Sequence, residues 1–156
     1  QQAGLGPVEL CCAPTARDAA FAPWAGAAGI TLTDQGEGDI GERMERALQR
    51  GLSAQPTVLL IGTDAPALGA GVLRAAAAAL ETHDVVFVPA FDGGYVLVGL
   101  RRPVPELFEG MTWSTPEVMQ HSRERLAQAG IGHAELAPLP DIDVPADLVH
   151  LPAGWL

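Results

Sequence analysis

Four aspartates stand just beyond apolar runs that read as strands. Asp64 follows TVLLIGT (57–63), Asp92 follows DVVFVPA (84–90), and Asp141 and Asp143 follow GHAELAPLP (132–140). Ligands of open α/β sheets bind beyond the carboxyl ends of the strands, so carboxylates delivered there converge on one rim. Clustered carboxylate oxygens are hard ligands that select Mg²⁺ or Mn²⁺. Mg²⁺ in particular is usually held by one or two carboxylates together with substrate phosphates. The chemistry on offer is therefore metal-assisted transfer at a phosphate. Each aspartate also has a plainer reading. An aspartate after a strand forms turns or caps helices, Asp92-Gly93-Gly94 has the composition of a tight turn, and Asp147 suits the first turn of a helix. No single one of them carries a function.

The positioning elements alternate. PVELCCAP (7–14) and ITLTDQ (30–35) read as strands with a short helix between them. Asp39, with Glu42 three residues on, announces a capped helix ending at Gly51, with Ile40, Met44, Ala47 and Leu48 on one face and a Glu42–Arg46 pair on the other. TVLLIGT and DVVFVPA are continuously apolar, as strands covered on both faces are. The alanine-rich GVLRAAAAALET (71–82) supplies the helix between them, giving a unit of about 30 residues, the size of a βαβ crossover. The DGG turn then introduces one antiparallel strand, YVLVGL. In 114–130, Thr115 caps a helix, Pro116 takes its first position and Gly130 ends it. A last strand (132–140) and a short helix over DIDVPADL (141–148) close the pattern. No repeat or linker interrupts it, which argues for one α/β domain with a mixed, mainly parallel sheet.

Composition removes several classes. The formal charge is −10 at pH 7, from 19 acidic residues against nine arginines and no lysine. Such a surface repels nucleic acid and anionic lipid. An anionic ligand then needs a metal, arginines or helix N-termini. No apolar run approaches the roughly 20 residues of a membrane span, and no leader is visible, so the expected location is cytoplasmic. Cys11 and Cys12 are adjacent, and neighbouring strand side chains point to opposite faces, which argues against a disulfide. Neither phosphate-binding glycine motif, G-x-x-x-x-G-K-[ST] or G-x-G-x-x-G, occurs, and no serine sits in a nucleophile elbow. Trp113 reads as a packing residue, and Arg43 and Arg46 as residues on a solvated helix face.

GDIGERMERAL, LLIGTDAPAL, PAFDGGYVLVGL, MTWSTPEV and LPDIDVPADL, in this order, resemble the DUF2064 family over about residues 5–150. These are glycosyltransferase-like proteins of the nucleotide-diphospho-sugar transferase (GT-A) superfamily, similar to the phospholactate guanylyltransferase group. The resemblance implies a three-layer α/β/α GT-A-like sandwich. It implies a metal-dependent glycosyl- or nucleotidyltransferase acting on a nucleotide or nucleotide sugar and a small-molecule acceptor. By superfamily analogy Asp64 and Asp143 are the Mg²⁺ or Mn²⁺ ligands, and Asp92 completes the catalytic set by orienting the second substrate or accepting its proton. Arg43, Thr63, Gly93 and Gly94 contact nucleotide or acceptor. Three departures stand out. Ala65 stands where Cys is common, Val144 where Thr is expected, and the chain starts after a strand and a glycine/lysine/arginine loop with which family members usually begin. The expectation is a single domain over 1–156 lacking that unit. PVELCCAP and TVLLIGT must then pair directly, receive a strand from another chain (as in a homodimer), or leave the sheet looser. The alternative function is a catalytically silent remnant that binds a ligand or partner.

Overall fold

The computed structural model describes residues 3–151. Strands β1 (Val8–Cys12) and β2 (Ile30–Asp34) form a parallel pair. Strands β3 (Val58–Ile61), β4 (Val85–Pro89), β5 (Tyr95–Leu100) and β6 (His133–Glu135) form a second sheet in the order β3-β5-β4-β6. Strand β5 is antiparallel to both β3 and β4, and β6 is parallel to β4. The β3, β4 and β6 directions therefore agree, and β5 is the one reversed strand expected after the DGG turn. Three helices of more than two turns pack around this frame: α1 (Ile40–Leu52), α2 (Ala70–Ala79) and α3 (Val118–Gln128). None of the helices among the described residues is long and apolar enough to cross a membrane.

Strand alternation divides the core into two layers. Val85 and Phe87 of β4 face Leu48 of α1 and Met119 and Leu126 of α3, together with Val98 and Leu100. Val86 and Val88 face the opposite way, onto Ala76 and Leu80 of the α2 side. All five residues of β4 are buried, as an apolar strand between two helical layers must be. The sheet thus lies between helices on both faces, the three-layer α/β/α arrangement.

Strands β1 and β3 do not pair, so the direct pairing of these two strands named as one expectation does not form. The Gly62 N–H donates to Val96 O at 3.0 Å. In an antiparallel ladder that bond assigns Val58 and Leu60 to the β5 side and turns the main chain of Leu59 and Ile61 outward. Among the described residues no strand meets that edge. Ile61 is 45 % exposed, so β3 is not covered on both faces as its apolar run suggested. Helix α1 touches both sheets: it packs on β3 through Gly51 against Val58, and its Arg50 Nε donates to Glu9 Oε1 of β1 at 2.8 Å.

Local signals were met in part. The Asp39–Glu42 capping box forms, with Glu42 N donating to Asp39 Oδ1 (2.9 Å) and Asp39 N to Glu42 Oε2 (2.8 Å). That reciprocal bond occupies Glu42, so the expected Glu42–Arg46 pair is absent. Arg46 instead donates to the carbonyls of Gln35 (2.5 Å) and Glu37 (2.9 Å). The helix runs through Gly51 to Leu52, because the chain there stays helical against Val58. Helix α3 begins at Val118 rather than at Thr115. Ser114 takes a left-handed φ of +59°, and the Thr115 hydroxyl donates back to Thr112 O (3.5 Å) instead of capping. Cys11 and Cys12 are free thiols, Cys12 buried and Cys11 half-buried. Trp113 is a packing residue: its ring stacks on Phe108 at 6.3 Å and fills the space a side chain on Gly41 would take.

Arg101 and Arg102, adjacent in sequence, both clamp Asp84 before β4, with Nε–Oδ contacts of 2.7 and 2.9 Å. The Arg101 and Arg102 hydrogen bonds hold the Asp84 carboxyl below the usual aspartate range. A carboxyl lowered in the folded state stabilises the fold above its unfolded pKa of about 3.9, and this stabilisation is lost as pH falls toward the folded value. Asp84→Asn is therefore expected to lower the urea midpoint at pH 7, by under about 1 kcal/mol because both arginines are partly solvated. The difference from the parent should close on titration to about pH 3, and a difference that persists undiminished there would exclude the clamp as its source.

Candidate active site

The last segment of the described chain gathers the carboxylates. After β6 the chain keeps bonding along β4: Leu136 N donates to Phe87 O (2.9 Å) and Leu139 N to Pro89 O (2.9 Å). It then reaches the end of β3, where Ile142 N donates to Asp64 O (3.0 Å). Asp141 and Asp143 flank that bond, so β3 and the last segment are stitched together at Asp64. The turn between β4 and β5 carries Asp92, whose Oδ1 accepts Gly94 N–H at 2.9 Å. One carboxylate oxygen from each of Asp92, Asp141 and Asp143 lies within 4.8 Å of the others. Asp64 is exposed on the same rim and adds to the negative field on Asp141.

Of these, Asp141 is the partly buried one. Burial raises its carboxyl above the usual range, and the charges of Asp92, Asp143 and Asp64 push it further the same way. Three hard oxygens this close repel one another and suit a divalent cation, so the donor set fits Mg²⁺ or Mn²⁺. Asp143 has its main chain held independently of its side chain: the N–H groups of Asp143 and Val144 donate to Asp147 Oδ2 at 3.0 and 2.9 Å. Asp147 thus braces the loop, replacing the cap that Val144 cannot supply. Neutralising the buried member should relieve the repulsion. Asp141→Asn is expected to raise the melting temperature of the metal-free chain by a few degrees and to abolish further stabilisation by Mn²⁺, read by differential scanning fluorimetry with and without about 5 mM MnCl₂, roughly 100 times a Kd of about 50 μM.

The remaining sequence candidates are dispersed. Thr63 and Asp64 follow β3 on the exposed rim. Gly93 and Gly94 form the turn beside Asp92. Arg43 lies on α1, where its Nε donates to Gly38 O (2.9 Å) and its Nη1 to the Gln35 side chain (3.5 Å). Arg43 and Arg46 together therefore tie the 35–39 loop onto α1. Sequence reasoning passed over Phe91, an apolar side chain 62 % exposed beside the acidic turn. The only signal for it was its place directly before Asp-Gly-Gly.

A reversed strand set among parallel ones, helices on both faces and carboxylates at the strand ends define the nucleotide-diphospho-sugar transferase fold. The structure is similar to the crystal structure of a protein from Desulfovibrio desulfuricans G20 proposed to be a nucleotide-diphospho-sugar transferase, with a TM-score of 0.82 and 31% identity over 91% of this chain. The chain spans less than two thirds of that protein, 63% of its length. This chain belongs to the DUF2064 family, described as an uncharacterized protein conserved in bacteria, whose model matches residues 1–115. No curated protein matches it.

Proposed function

We propose that this chain is a divalent-metal-dependent transferase domain that moves a glycosyl or nucleotidyl group from a nucleotide-activated donor to a small acceptor. The observation that carries the reading is the Asp92–Asp141–Asp143 group on a nucleotide-diphospho-sugar transferase fold, with its oxygens within 4.8 Å. Asp143 and Asp64, with Asp141 on the same segment as Asp143, would hold Mg²⁺ or Mn²⁺. A cation there supplies charge neutralisation for the donor phosphates. Asp92 orients the acceptor hydroxyl and takes its proton. The acceptor oxygen forms the new bond to the transferred carbon or phosphorus as the bond from that atom to the leaving phosphate breaks, and the leaving group departs with the electron pair. Gly93 and Gly94 keep the Asp92 turn narrow. Thr63 and Arg43 are the proposed nucleotide contacts, Arg43 through donors not engaged by the 35–39 loop.

The test is calorimetric titration of UDP and of GTP with and without MnCl₂. Nucleotide binding that requires Mn²⁺ supports the transferase. One observation favours the silent-remnant reading: in a chain without lysine, the arginines nearest the 35–39 loop, Arg43 and Arg46, are spent on its carbonyls and the Gln35 side chain. Mn²⁺ binding with no nucleotide bound at any concentration up to the millimolar range would favour that second reading.

A further inference from the structure

Strand β3 ends its sheet on an open edge. The main chain of Leu59 and Ile61 turns outward there, and among the described residues no strand meets it. An unpaired edge presents a row of N–H and C=O groups that only another extended main chain matches along its length. Folded proteins guard such an edge with a lysine, a proline, a bulge or an inward-pointing charge. Val58–Ile61 has none of these: the strand is VLLI, and the irregularity of its sheet lies at Val88 and Pro89 of β4. Both faces of the strand are furnished for burial. Val58 and Leu60 pack on the cluster that includes Leu48 of α1, and Leu59 on the cluster that includes Ala76 of α2. Ile61, at the end of the edge, is left exposed.

What flanks the edge sets the size of an occupant. Helix α1 rests on β3 through Gly51 and Val58, and it reaches the β1–β2 pair through Arg50 and Glu9. Paired strands lie about 4.8 Å apart, and a helix with its side chains is about 10–12 Å across. A helix lying over two strands that do not pair with each other therefore roofs about two strand spacings, the width that one further strand fills. A second folded copy brings its whole sheet behind any strand it offers, so it does not fit between β3 and the β1–β2 pair. The formal charge of −10 also disfavours self-association and favours a basic partner.

We infer that the open edge of β3 is a docking slot for one extended polypeptide segment of about five residues, apolar and flanked by basic residues, that adds as a strand to Leu59 and Ile61 beside α1. Main-chain bonds supply the affinity, and the apolar surroundings of β3 select the side chains. The slot uses none of the rim carboxylates, so it stands apart from the transferase reading.

The experiment follows amide hydrogen exchange of the ¹⁵N-labelled chain titrated with the peptide KKVTVIVTKK, blocked at both ends. The expected result is saturable slowing of exchange at Leu59 and Ile61, at least about tenfold, with a midpoint below about 1 mM. Leu60, whose N–H already belongs to the β5 ladder, should be protected with or without the peptide. Ile61→Pro removes an outward N–H at a position where an edge strand tolerates proline. In that variant the peptide should no longer protect Leu59, while Leu60 stays protected. The same peptide N-methylated throughout its strand cannot donate and should protect neither edge amide, a control that holds even if the proline variant fails to fold. No protection at about 1 mM peptide, or equal protection by the N-methylated peptide, overturns the inference. So does protection that rises with the chain's own concentration in the absence of peptide, which would give the slot to a second copy.

Discussion

Asp143→Asn should weaken Mn²⁺ binding at least about 100-fold, equivalent to about 3 kcal/mol, and with it abolish metal-dependent nucleotide binding. The size follows from the geometry. Asp143 contributes one of three carboxylate oxygens held within 4.8 Å, and the neutral amide oxygen of an asparagine lacks the charge to replace it. The fold should not suffer, because the loop is held by Asp147 through the main chain of Asp143 and Val144 and not by the Asp143 side chain. Removing a repelling charge even works in favour of the metal-free state. The comparison that isolates the site is Asp84→Asn, which removes the same charge at the Arg101–Arg102 clamp and should leave Mn²⁺ affinity unchanged. Equal loss in both variants would attribute metal binding to the overall negative surface. An unaltered affinity in Asp143→Asn would remove that residue from the cation site.

The largest loss of stability is expected from Gly93→Ala. Gly93 has φ +96°, a region that costs an L-residue about 1–2 kcal/mol. A Cβ there would also stand 2.0 Å from the carbonyl oxygen of Pro116, a main-chain atom that cannot swing aside. Relief requires separating the D-G-G turn from the start of α3, which breaks the 2.8 Å bond from Met119 N–H to Gly93 O. Strain, clash and lost bond together are expected to cost at least about 3 kcal/mol, or about 6–12 °C in melting temperature for a chain of this length. Gly94→Ala tests the attribution. Its nearest contact would be Asp92 Oδ1, a side-chain atom, at 3.3 Å, so its loss should be less than a third of that at Gly93. Thermal unfolding of the two variants side by side decides the matter, and comparable losses would contradict the close-approach argument.

Sequence patterns revealed what local chemistry controls. VVFVP announced a doubly covered strand and is buried at every position. Asp39 and Glu42 announced a capping box, and Asp-Gly-Gly announced the single reversed strand. What stayed hidden depends on partners remote in the chain. Nothing in YVLVGL says that it will slip between β3 and β4, since a strand after a turn displays only its own two faces and not its second edge. The start of α3 moved because Pro116 is drawn onto Gly93, and a cap signal carries no record of that neighbour. Arg43 and Arg46 read as solvated because their acceptors are chiefly main-chain carbonyls of the 35–39 loop, which have no sequence signature. The aspartates were each visible, and Asp64 and Asp143 were singled out through family resemblance. The tight grouping of Asp141 with Asp92 comes from the last segment's crossing to Asp64, a path no spacing encodes.

The clasp that α1 makes across the divided sheet gives the molecule two tiers of durability. Two strands alone are marginal in water. β1 and β2 are joined to α1 through Glu9 and Arg50, whereas the four-stranded sheet is gripped by apolar clusters on both sides. Sub-global opening therefore begins at the Glu9 side and can run its course there. Asp64, Asp92, Asp141 and Asp143 all belong to the sturdier tier, so the carboxylate rim keeps its shape while the N-terminal pair breathes.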